Sequence, residues 1–115
     1  MDERLEKALA FSNYRITIEN KRIALKRRFE TMLVVHHNNG QFTADAVTIS
    51  FVTAMIAEGN TDMVLLDQKN MPVSIDDADT FKTMLLEAYY TATNEYASEM
   101  KKLSQARDVK KAMDW

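Results

Sequence analysis

Apolar residues recur along the first quarter of this chain at two separate phases of a helical repeat. Phe11, Tyr14, Ile18, Leu25, Phe29 and Met32 fall at steps of three, four or seven, which places them on one face of a helix. Leu5, Leu9, Ile16 and Ile23 make a second stripe, with steps of four and seven. No glycine or proline interrupts residues 2–30, so the pattern predicts one long helix. A helix with two apolar stripes needs two neighbours.

The period then changes. Residues 31–37 are rich in β-branched positions and lead into Asn38-Asn39-Gly40-Gln41-Phe42-Thr43. Asn-Gly is a strong hairpin signal because both residues tolerate the positive φ of a type I′ turn. The alternative is a first helix that runs to His37 and is capped by Gly40; the clustered β-branched residues favour the hairpin. Asp45 suits the cap of a second helix over 46–58, with Gly59 at its stop. Val47, Phe51, Ala54 and Met55 form one face, widened by Ile49, Val52 and Ile56. That predicts a mostly buried helix lying across a sheet. Residues 62–66 and 71–75 read as a second hairpin, with Pro72 at an edge or a strand start. Asp76, Asp77 and Asp79 mark the N-terminus of a last helix. It runs unbroken over 77–113, with Phe81, Leu85, Ala88, Ala92, Tyr96, Met100, Leu103 and Met113 on one side.

The fold class is therefore α+β in the order α-β-β-α-β-β-α. Two long antiparallel terminal helices form a helical stalk (2–30 and 77–113). They carry a small two-hairpin sheet and a central helix, the head (31–75), within one domain over 1–115. Length agrees, since 115 residues suit one domain better than two.

Composition mostly excludes. Gly40 and Gly59, the two glycines, stand nineteen residues apart, which removes any glycine-rich phosphate loop. Without cysteine there is no disulfide, thiolate metal site or thiol nucleophile. The two histidines, His36 and His37, are adjacent. Neighbours on a strand point to opposite faces and do not converge on one ion. The acidic start Met1-Asp2-Glu3-Arg4 is unlike a secretory signal, and the longest apolar stretch is too short for the ~20 residues of a membrane span. These features imply a non-enzymatic protein with no cofactor, metal or membrane, not secreted.

Charge adds an orientation. Residues 13–30 carry six basic and two acidic side chains, whereas 76–99 carry six acidic and one basic. Residues 100–115 are net +3 and residues 1–12 net -1. Antiparallel pairing of the terminal helices opposes unlike charges at both ends. The same pairing is expected to bring Asn20 beside Asn94. The basic run Lys21, Arg22, Lys26, Arg27 and Arg28 is read first as a solvated face answered by the acidic start of the last helix. Its functional reading is a surface for an acidic partner or nucleic acid. Trp115, a large ring at the last position, is expected to dock on this chain or a partner. The candidate partner-binding residues are thus Arg22, Lys26, Arg27, Arg28 and Trp115.

Phe11-Ser12-Asn13-Tyr14-Arg15, Gly40-Gln41-Phe42, residues 67–73, Ala92-Thr93-Asn94-Glu95-Tyr96 and Arg107-Asp108-Val109 together resemble small proteins of T-even-like tailed bacteriophages, notably those of marine cyanobacteria. The resemblance spans most of the chain and carries no catalytic residue. It implies a phage setting, in the host cytoplasm during infection or in the virion. The layout is also similar in architecture to prefoldin-type chaperones. Together these lead to a protein-interaction protein, a virion component or assembly factor that forms a homo-oligomer through its helical stalk. The alternative is a small phage regulator that binds nucleic acid or a host enzyme through the basic helix face.

Overall fold

The structure, a computed structural model, describes residues 2–108. Its elements follow the expected order: α1 (Glu3–Met32), β1 (Val34–His37), β2 (Gly40–Thr43), α2 (Ala46–Ala57), β3 (Met63–Leu66), β4 (Pro72–Ile75) and α3 (Ala78–Asp108). Packing divides the chain into two compact units, Met1–Phe29 with Asn94–Trp115, and Glu30–Thr93. The expected head ended at residue 75, whereas the compact unit runs to Thr93. The reason is that Ala78, Phe81 and Leu85, on the first turns of α3, belong to the same buried cluster as Val35, Phe42, Val52, Val73 and Ile75.

In the compact unit, Phe81 is the centre of that core. It is fully buried, with the Phe42 ring edge-on at 5.0 Å and the His37 ring tilted at 5.2 Å. His37 is thereby half-buried while His36 is exposed, the alternation a strand imposes.

Each hairpin is its own antiparallel two-stranded sheet, so the single small sheet expected from sequence is not formed. The loop after β3, rather than β3 itself, comes alongside β2: the Gln68 N–H donates to the Gln41 carbonyl at 2.8 Å. The Gln68 side-chain amide donates to the Thr43 hydroxyl at 2.6 Å. Pro72 opens β4, paired with Leu66, as a residue without an amide donor requires.

The first hairpin corrects the reading of Gly40. The strands pair His37 with Gly40, so the turn consists of Asn38 and Asn39, with φ of 48° and 66°. Two asparagines supply the left-handed backbone of a I′-type turn. The Asn38 amide also donates to the Ser74 carbonyl at 2.7 Å. Gly40 has a different task. A Cβ there would stand 2.6 Å from Val73 Cγ2 and 3.0 Å from Phe42 Cε2, so the residue is small because two core side chains close over it.

Caps agree with the sequence. The Asp45 carboxylate accepts the Thr48 N–H at 2.9 Å, and Asp77 accepts both the Thr80 N–H and its hydroxyl. After α2, Gly59 at φ 91° lets Asn60 N–H reach the Met55 carbonyl and Gly59 N–H reach Ile56, the paired bonds of a Schellman stop. The burial expected for α2 does not hold. Val52 is its buried residue, while Val47 is 78% and Phe51 51% exposed. Its apolar residues nearly encircle the helix, and two small sheets with the start of α3 cover one side of it.

In the helical unit, α1 and α3 run antiparallel. Phe29 stacks on Tyr96 with ring centroids 4.9 Å apart, and the Arg28 guanidinium meets the Glu95 carboxylate at 2.7 Å. Ile18 on α1 and Leu103 on α3 are buried. These contacts overturn the Asn20–Asn94 expectation. Asn20 lies nine residues before Phe29 and Asn94 two before Tyr96. On antiparallel helices those steps diverge, leaving the two about 16 Å apart along the axis. Both are exposed. The part of the last helix expected beyond Asp108, with Met113 on its apolar side, lies outside the described residues.

Candidate interaction surfaces

The basic candidates on α1 are engaged within the chain. Arg22 pairs with Glu19 one turn earlier at 3.3 Å. The Lys26 ammonium stands 5.5 Å from the centroid of the Phe29 ring, inside cation–π range. Arg28 is held by Glu95, and both Lys21 and Arg27 have interaction partners of their own. At ~100° per residue, Arg22 and Lys26 share one side of α1. Arg27 falls roughly 100° from Lys26 and Arg28 about 100° further on. The four are therefore spread around the helix and do not gather into one patch. Trp115 lies outside the described residues.

The more continuous surface is apolar. Ile16 and Ile18 are about 200° apart around α1, so the face that buries Ile18 cannot also cover Ile16. The second stripe stands open accordingly: Leu5 is 50%, Leu9 47%, Ile16 55% and Ile23 44% exposed. A groove of about 790 Å³ runs beside it, between Phe11, Arg15, Ile16 and Arg22. Solvent-facing apolar rows of this kind mark interaction sites more often than isolated exposed residues do. This surface was legible in the sequence as a stripe with no partner.

A second apolar surface was missed. In the compact unit, Val47 and Phe51 on α2 flank a groove of about 440 Å³ together with Leu66 on β3, itself 62% exposed. The i, i+4 spacing of Val47 and Phe51 marks one face of α2 without showing whether anything covers that face. A third concavity, about 410 Å³, is polar and lies at the turn, between His36, Asn39, Asp67 and Lys69.

Asp67 shapes that region. Its carboxyl is held below the usual carboxylate value of 3.8, first by the Met71 N–H; desolvation, the next effect, opposes this, and the N–H groups of Lys69 and Gln41 and the nearby Lys69 charge add to the lowering. Those donors lie at 3.0, 2.9 and 3.4 Å. Asp77 is lowered too, chiefly by the Thr80 N–H and hydroxyl. Both carboxylates close backbone turns. Among the described residues no three His, Asp or Glu side chains gather as ligands for a metal ion. No helix there is long and apolar enough to cross a membrane.

No known family model matches the chain, and neither a curated protein nor a solved structure matches it.

Proposed function

We propose that this is a non-enzymatic protein-interaction protein that works through the outer face of α1, as a virion component or assembly factor of a tailed bacteriophage. The observation that carries the interaction is the open row Leu5, Leu9, Ile16 and Ile23 on a helix that packs through a different face, at Ile18 and Phe29. An apolar row that stays wet loses the stabilisation of burial, ~25 cal/mol per Å² of apolar surface, and a partner recovers it. The phage setting rests on the sequence resemblance. Nucleic acid as the partner is the weaker reading, because Arg22, Lys26, Arg27 and Arg28 are spread around α1 and form no single basic patch.

Affinity purification of tagged protein from infected cells, with mass spectrometry of purified virions, tests the proposal. A phage structural or assembly protein should copurify, and Ile16→Asp should release it while leaving the circular dichroism spectrum intact. Absence from particles, no copurifying protein and normal particle assembly after deletion would sink it. A salt-dependent mobility shift of DNA or RNA, lost on reversing Arg27 and Arg28, would transfer the argument to nucleic acid.

A further inference from the structure

The open face of α1 has an internal order. Ile16 stands at its centre, with Asn13 three residues before it and Asn20 four after. Leu9 and Ile23 lie seven residues to either side, and Glu6 and Arg27 close the two ends. All of these side chains are exposed. At ~100° per residue they fall within about 50° of one line along the helix. Turned end for end, this row meets itself with Ile16 on Ile16, Leu9 on Ile23, Asn13 beside Asn20 and Glu6 beside Arg27.

We propose that a second copy of this chain lies antiparallel along the outer face of α1, with a two-fold axis passing at Ile16. Such an interface is isologous: each contact is made twice, which a self-complementary row provides. In an antiparallel helix pair, residues on the same flank of the seam come together, so the asparagines meet each other and each Glu6 meets the partner's Arg27. Polar pairs inside an apolar seam hold one register.

Charge selects this direction over the parallel one. Residues 21–28 carry five basic side chains and no acidic one. A parallel pair would set that segment against itself and Arg27 against Arg22. The antiparallel pair, with its axis at Ile16, sets it against residues 4–11, which carry one acidic and two basic groups and so oppose it far less than a second copy of itself would. The packed face of α1, with Ile18 buried, is left undisturbed because it points the other way.

The proposal rests on the outer face of α1 being an interaction surface, and its test separates the two. The chain has no cysteine, so single cysteines report on their own. Leu9→Cys, Ile16→Cys and Ile23→Cys all replace exposed residues, and circular dichroism checks each fold. Under mild oxidation Ile16→Cys should form a disulfide-linked dimer by itself. Leu9→Cys and Ile23→Cys should each remain single chains, and their equimolar mixture should cross-link, since disulfides need Cα atoms within ~7 Å. Glu6→Arg should weaken the dimer about fivefold, because the pair occurs twice, and adding Arg27→Glu should restore it. Equal self-cross-linking at all three positions would mean a parallel pair, and no cross-link at any would mean no self-association along α1. Either result overturns the dimer. If a phage protein still copurifies when cross-linking fails, the interaction reading survives without it.

Discussion

The two units of this chain differ in charge and in packing in the same direction. Residues 30–93 contain nine acidic and two basic side chains, net -7, whereas the rest contain eight acidic and thirteen basic, net +5. The acidic unit holds nearly all of the described core, from Val35 and Phe42 to Phe81 and Leu85. The basic, helical unit buries Ile18 and Leu103 and leaves Leu5, Leu9, Phe11, Ile16 and Ile23 open. The near-neutral total of -2 therefore hides a segregated molecule. One part closes a core of its own while leaving Val47, Phe51 and Leu66 open, and the other buries few of its described side chains beside its open apolar row. A balanced composition says little about how evenly charge and apolar surface are shared within a chain.

The comparison is broken most directly by one truncation in each unit. Phe81→Ala empties a fully buried site and should cost about 3–5 kcal/mol, the range for a buried aromatic lost from a core. Ile16→Ala removes an exposed side chain and should change the stability of the single chain by no more than about 0.5 kcal/mol. Its effect should appear in association instead. Urea unfolding of both variants at low protein concentration reads the difference. Similar costs at the two sites would mean that the units are not packed so unequally.

A smaller effect sharpens the account of the compact unit. At Gly40 the added methyl of alanine would press on Val73 Cγ2 and Phe42 Cε2, both on stiff side chains of the core. Gly40→Ala should therefore destabilise by about 1–3 kcal/mol, the cost of overpacking. Because Gly40 is not at positive φ, Gly40→Asn should be no better. If Gly40→Asn were tolerated and Gly40→Ala were not, backbone conformation rather than crowding would be the reason for the glycine.

These residues also show which features could be read from sequence. Element order was legible because caps, turn residues and periodicity act locally: Asp45, Gly59, Asp77 and the Asn38-Asn39 pair each report on their own neighbourhood. The crowding at Gly40 was not legible, because Val73 is thirty-three positions away. Nor was the exposure of Val47 and Phe51, since periodicity gives the face of a helix without saying whether anything covers it. The spare stripe of α1 was legible for the opposite reason. It lies about 200° from the stripe that packs, and one neighbouring helix cannot cover both. The charge argument found the direction of α1 against α3 but not the register. Summed charge over a segment varies slowly with position, whereas the Phe29–Tyr96 stack and the Arg28–Glu95 pair fix it to within a residue.

The smallest of the three effects concerns Asp67, which joins the two hairpins of the acidic unit. Its carboxylate accepts N–H groups from Lys69 and Met71 in its own loop and from Gln41 on β2. These donors favour the ionised form, so the folded pKa lies below the unfolded value of 3.8. A group with a depressed folded pKa contributes stability above its unfolded pKa and loses it as pH falls through the folded pKa. Asp67→Asn should thus destabilise the protein at neutral pH, and the gap from the native chain should narrow as pH falls below about 4. Denaturation curves recorded across that range read the effect. A gap that stayed constant into acid would show that the carboxylate charge contributes nothing and that the loop is held by hydrogen-bond geometry alone. Asp77 titrates in the same direction through Thr80 but closes a cap within one helix, so Asp77→Asn should show the same narrowing. The two differ in what they hold together: only Asp67 ties one hairpin to the other. Hydrogen exchange at the Gln41 amide should therefore speed up in Asp67→Asn and stay unchanged in Asp77→Asn.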